Sequence, residues 1–193
     1  MVTGQTAYSY VTDGVVLPVR VAGHVALDFC NTLAGWGEPE PKDYLRGYAE
    51  LVLWTRDAGL VDPEAAERLR IGAEPAVLAR ALRLREALYE TVLKGSGWET
   101  VAEEAELAAA CARLTTEGWR LPERADLPVL AVAREAAEFL LSDHAPVRAC
   151  PGRQCGWLFL DPRRRRRWCS MATCGNRAKQ RRFGQRAQLA RSF

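Results

Sequence analysis

The chain has 193 residues, 48% hydrophobic and 26% charged, enough apolar material for one ordinary core and a small annex. That balance excludes a disordered chain, and no run approaches the ~18 consecutive apolar residues of a membrane span, so no membrane partner is expected. The net charge of +3 conceals a split: residues 1–144 hold 14 Lys and Arg against 23 Asp and Glu, a net of −9, whereas residues 145–193 hold 13 against the single acid Asp161, a net of +12. An acidic body followed by a strongly basic tail points to a polyanion as the tail's partner. Gln5, Asp13 and Gly14 stand where a signal peptide would need an apolar block, so a cytoplasmic location is the expectation.

In chain order, Tyr8, Tyr10 and Val11, then Val15, Val16, Val19 and Val21, flank Asp13-Gly14, which predicts a short hairpin. Val25, Phe29 and Leu33 recur every four residues and suit one buried helical face, ended by Gly35-Trp36-Gly37. Asp43 is placed to cap a helix through Tyr44, Tyr48 and Leu51 that stops at Ala58-Gly59, and Asp62-Pro63 reads as N-cap and first residue of the next. From Pro75 to Lys94, Leu78, Ala81, Leu82, Leu88, Tyr89, Val92 and Leu93 form an apolar stripe. Thr100 and Glu103 have capping-box spacing and open an Ala-rich helix to about Thr116; Pro128 opens another to about Leu141. Residues 119–127 suit a strand or a loop equally. The expected fold is mainly α, about five helices with a small β element over residues 1–144. A second domain, residues 145–193, is expected to be a small zinc-ribbon-like hairpin with a basic helix.

Cys150, Cys155, Cys169 and Cys174 make two C-x4-C pairs separated by thirteen residues. Paired thiolates on two tight turns can reach the corners of a tetrahedron around Zn2+, which thiolates select over harder ions. Four sulfurs leave no open position, so one structural zinc per chain is the expectation. Two disulfides or an iron–sulfur cluster would use the same residues; a reducing cytosol argues against the first, and neither pair has the two-residue spacing of a redox motif. His144 is a competing ligand only if a cysteine defaults. Between the pairs, Gly156–Leu160 is strand-like, Asp161-Pro162 is a turn, and Arg166–Cys169 can return antiparallel, bringing Trp157 and Trp168 together.

Cys150-Pro-Gly-Arg-Gln-Cys155-Gly-Trp-Leu-Phe-Leu-Asp161, followed by Arg166-Arg-Trp-Cys169 and Cys174-Gly175-Asn176-Arg177, resembles the CGNR zinc finger over about Arg148 to Phe183. Gly23-His-Val-Ala-Leu-Asp28-Phe-Cys-Asn31-Thr-Leu33 and the helix near 44–60 are similar to the ABATE domain that precedes such fingers. The resemblance implies a stress-linked transcription regulator with a DNA-binding finger and a sensing or dimerising body. Cys30 stands where the family pattern has a plain aliphatic, which leaves a thiol role open.

Asn176 is placed to cap a helix through Arg177, Lys179, Arg181, Arg182 and Arg186 toward Arg191, with Phe183 and Leu189 docking it on the hairpin. Arg177, Arg181 and Gln185 share a face suited to reading bases in a major groove, and Arg163, Arg164, Arg165, Arg166 and Arg167 are suited to phosphates. The partner is nucleic acid, duplex DNA ahead of RNA; an RNA-binding protein is the alternative. No enzyme is expected, because no nucleophile or phosphate-cradling motif occurs. An active site in the helical body is the remaining catalytic alternative. Asp28, Asn31 and Trp36 beside an apolar bundle are candidate ligand-binding residues for a small-molecule effector, and a homodimer is an equal use of the body.

Overall fold

The computed structural model describes residues 2–190, with side chains described for 6–185. Asp13 and Gly14 both adopt left-handed backbone (φ 46° and 78°), which turns the chain in two residues and pairs β2 (Ser9–Thr12) with β3 (Val15–Pro18), Thr12 opposite Val15. A further strand, β1 (Val2–Gln5), joins the free edge of β2. Helix α1 (Val25–Cys30) is capped by His24, whose Nδ1 accepts from the Ala26 N–H. The chain then forms a two-residue ladder, β4 (Leu33–Ala34) with β5 (Lys42–Asp43).

Four longer helices and one short one complete the body: α2 (Tyr48–Asp57), α3 (Pro63–Leu69), α4 (Pro75–Lys94), α5 (Trp98–Cys111) and α6 (Leu127–Leu141). Asp62 caps α3 as its sequence predicts, accepting from the Glu64 N–H. Asp43 does not cap α2. It lies in β5, and its carboxylate takes both terminal nitrogens of buried Arg85 at 2.8 and 2.6 Å, while Gly47 holds the N-cap. Thr100 and Glu103 form no capping box, because α5 begins earlier, behind Gly97. That glycine has φ 88°, and a Cβ there would lie 2.8 Å from the Ala87 carbonyl oxygen, so only glycine lets α4 and α5 approach this closely. The Ala-rich helix ends at Cys111 rather than near Thr116, since Arg113–Thr115 (β6) pairs with Gly118–Arg120 (β7). The core gathers Leu27, Phe29, Leu51, Trp54, Leu84 and Leu88 around α6, whose residues Val129–Ala133 are buried throughout.

In the tail, β8 (Val147–Ala149) pairs antiparallel with β9 (Leu158–Leu160), Val147 opposite Leu160. The segment expected to return on β9, residues 166–169, forms no strand. Strand β9 meets the body along its other edge. Asn31 accepts from the Leu158 N–H (2.7 Å) and donates to its carbonyl (2.9 Å), and the Leu160 N–H donates to the Ala22 carbonyl. Asp28 accepts from the N–H groups of Val21 and Ala22, fixing the strip that receives Leu160. Leu158 belongs to the body's core cluster, and Tyr44 of the body belongs to the cluster around the cysteines.

Asn31→Ala leaves the Leu158 N–H and C=O unpaired in a site that is 0% exposed, so unfolding free energy should fall by ~2–4 kcal/mol in urea denaturation, from ~1–3 kcal/mol per abandoned buried group. Burial raises the Asp28 carboxyl from its ordinary 3.8 to about 6 against the pull of its two backbone donors. A raised carboxyl pKa favours the protonated fold, so this contribution is full below about pH 4 and lost as pH rises through about 6, at most ~3 kcal/mol. Asp28→Asn should remove that slope from the stability–pH curve, because its oxygen still accepts the two bonds and carries no charge.

Candidate metal centre and nucleic-acid interface

The first cysteine pair closes a knuckle between β8 and β9. The Cys150 N–H donates to the Trp157 carbonyl and the Cys155 N–H to the Gly152 carbonyl, while Gln154 and Gly156 take left-handed backbone at φ 56° and 69°. Gly152 is required by contact: a Cβ there would sit 2.8 Å from Cys174 Sγ and 3.1 Å from Cys174 Cβ. The second pair closes a π turn, Met171–Gly175, where the Gly175 N–H donates to the Ser170 carbonyl. Tyr44, Trp157, Phe159 and Trp168 pack around the result.

All four sulfurs are buried, unbridged and within 4.8 Å of one another. The pairs Cys155–Cys169 and Cys169–Cys174 are each 3.7 Å apart. A tetrahedron with metal–sulfur bonds of ~2.3 Å has edges of ~3.8 Å, so the spacing fits a closed four-sulfur site. Hydrogen bonds among the thiols, first with Cys150, and then burial push Cys155 and Cys169 far up, whereas thiol donors hold Cys174 down. Four sulfurs at this distance cannot all be ionised without a cation, which is the chemistry a dication supplies. His144 takes no part: its ring stacks on Phe139 at 4.3 Å and Nδ1 meets the Ala145 carbonyl.

The tail's single acid is withdrawn from the surface. Asp161 is 1% exposed and accepts from the backbone N–H groups of Arg165 and Arg166 and from Arg148; those bonds, Arg166's foremost, hold its carboxyl below the usual range. It thereby shapes the arginine loop. Among the described residues, Arg148–Asp161 is the ion pair found in the tail. Arg163, Arg164, Arg165 and Arg167 are exposed. Arg166 is not disposed as expected: its guanidinium donates to the Leu160, Val21 and Cys169 carbonyls and lies over the Phe159 ring at 4.6 Å. It binds the loop to the finger, whereas its neighbours Arg163, Arg164, Arg165 and Arg167 stand free of that role.

Helix α7 (Asn176–Ala190) leaves the π turn directly, and Asn176 donates back to the Ala172 carbonyl rather than capping the helix. Arg177 is half-buried, donating to Cys174 Sγ at 3.4 Å and lying 4.8 Å over the Tyr8 ring. Lys179, Arg181 and Arg182 are exposed. The side chains of Arg186 and Leu189, and residue Arg191 altogether, lie outside the described residues. Phe183 does not dock on the hairpin; it is 78% exposed. Arg153, which sequence reasoning passed over, lines a groove with Gln154, Arg177, Gln180 and Arg181; its place in the first C-x4-C loop was the available signal.

The three residues expected to bind an effector line the junction instead. Asp28 and Asn31 bond to backbone as described, and Trp36 stacks on Tyr89 at 3.8 Å while its Nε1 donates to the Cys30 carbonyl. Tyr89 donates to the Gly156 carbonyl, and a Cβ at Gly156 would meet Trp36 Cβ at 2.8 Å. Trp157 Nε1 donates to the Leu33 carbonyl, and the Gly35 N–H to the Cys155 carbonyl. Cys30 is wholly buried with its S–H aimed at the Arg85 carbonyl, and burial pushes its thiol far up, a setting without thiolate reactivity.

Two family models match the chain. One, described as "Putative stress-induced transcription regulator" and named ABATE, matches residues 23–143; the CGNR zinc finger model matches residues 147–187. No curated protein matches. No helix among the described residues is long and apolar enough to cross a membrane.

Cys169→Ser removes the sulfur that has 3.7 Å neighbours on both sides. Metal analysis of the purified variant should find the bound ion lost. Because β9 is hydrogen-bonded into the body, thermal unfolding should shift for the body helices as well as for the finger, read by circular dichroism at 222 nm.

Proposed function

We propose that this chain, which belongs to the ABATE family and carries a CGNR zinc finger after it, is a DNA-binding transcription regulator whose zinc ion is structural. The observation that carries the reading is a cationic surface held in shape by the four-cysteine centre: Arg163, Arg164, Arg165 and Arg167 on the loop, with Lys179, Arg181 and Arg182 on α7, all exposed. A patch of one sign on so small a module repels itself unless a polyanion relieves it. Guanidiniums on a tight loop suit phosphates, and an exposed helix beside them suits a groove. DNA rather than RNA follows the family's description as a transcription regulator. Zinc follows from four thiolates at tetrahedral spacing, which leave no open position for hydrolytic chemistry and so favour a binding protein over an enzyme. The body's share is to sense an effector or to pair two chains, with the shared strand edge at β9 as the route to the finger.

Fluorescence anisotropy on labelled duplex DNA tests this. If five to eight phosphates are neutralised, log affinity should fall with log salt at a slope of roughly −4.5 to −7, at about −0.9 per contact. Replacing Arg163, Arg164, Arg165 and Arg167 with Ala should flatten that slope by up to ~3.6 on every sequence tested. Arg166→Ala should show chiefly as lost thermal stability, and Arg181→Ala as altered sequence preference. Absence of binding by the intact, metal-loaded protein at low salt would contradict the reading.

A further inference from the structure

We infer that Phe183 and Met171 form an apolar wedge that inserts between stacked base pairs of duplex DNA while Arg167, Lys179 and Arg182 hold the flanking phosphates. The inference rests on the nucleic-acid reading above and adds to it the mode of contact.

A groove of about 360 Å³ runs between the end of the arginine loop and α7, lined by Arg167, Trp168, Met171, Lys179, Arg182 and Phe183. Its floor is fixed. Trp168 packs on the buried cysteine cluster, and the Arg167 guanidinium lies 5.2 Å over its ring. Its rim is apolar and open, with Phe183 78% and Met171 66% exposed. Every described side chain from Lys179 to Gln185 is exposed, so the Phe183 ring stands on an exposed stretch of the helix. Lys179 stands one turn before Phe183 on the same side of α7, and Arg182 is adjacent.

Phe183 and Met171 are both exposed and line the same groove, so the apolar rim is a patch ringed by cations rather than a lone ring, and such a patch suits a partner. A protein partner offering an apolar socket would have to accommodate three cations around it. A DNA duplex has the complementary arrangement, a phosphate rim enclosing flat stacking faces, and apolar wedges of Phe or Met flanked by basic residues are a known way to open a base step and bend the helix. Pyrimidine–purine steps, the most easily unstacked, are the expected points of entry. Phosphate contacts by the loop on one side of the groove and by α7 on the other would straddle the opened step.

The test uses the full, metal-loaded chain and short duplexes carrying 2-aminopurine beside TpA steps, with anisotropy read in parallel. Saturating protein should raise 2-aminopurine emission by about twofold or more, as expected for an unstacked base. Phe183→Ala should abolish that rise and weaken binding about tenfold while leaving the salt slope unchanged, since no charge is removed. Phe183→Leu, which keeps an apolar wedge, should restore most of both. Unchanged emission in a saturated wild-type complex, or equal affinity of wild type and Phe183→Ala, overturns the wedge and leaves the DNA-binding reading standing. Phe183-dependent binding that is tighter to single strands, or to phosphatidylglycerol vesicles, overturns it in favour of a stacking platform or a lipid surface. Failure of the wild-type chain to bind any nucleic acid removes both readings.

Discussion

The convergence of four cysteine sulfurs at tetrahedral spacing is the constraint on which the rest of the tail depends. About forty residues with Arg-rich surfaces cannot form a core from packing alone, and a cross-link of this kind substitutes for one. The knuckles place β9, the arginine loop and the start of α7 around a common centre. One of their glycines is dictated by a cysteine sulfur, Gly152, where the backbone lies against Cys174. Asp161 then completes the loop from within, so that the one negative group of the tail orders cations rather than neutralising them at the surface.

The finger is also continuous with the body. Strand β9 pairs with β8 on one side and with Asn31 and Ala22 on the other, and aromatic residues interlock across the same boundary, Trp36 and Tyr89 over Gly156 and Trp157 beneath Leu33. A change of shape in α1 or α4 would therefore act directly on the segment between the two cysteine pairs. That arrangement gives a helical body a mechanical route to the cationic surface of the finger.

Much of this was legible in the residues. Pro75–Lys94 is plain because its apolar stripe runs the whole length of the helix, and Asp62-Pro63 and Asp13-Gly14 act through strictly local geometry. The four cysteines were legible for the same reason, spacing alone sufficing to suggest the cluster. What was not legible depended on distant partners. Thr100 and Glu103 satisfy a local rule, but the helix start is fixed by Gly97 against Ala87. Nothing local tells whether β9 pairs with the preceding segment, as it does, or with the one that follows it. Asn31 carries no local sign of a partner 127 residues away. Within the arginine run, composition cannot tell that Arg166 turns inward, nor can helical periodicity tell that Phe183 has nothing to dock against.

The central claim is that four thiolates close around one zinc ion and thereby hold the cationic surface in shape. X-ray absorption at the zinc edge on the full chain addresses it most directly. The account predicts a single shell of four sulfur scatterers at ~2.3 Å with no nitrogen or oxygen; a mixed shell, or zinc-free protein with sulfur–sulfur scattering at ~2.05 Å, would contradict it.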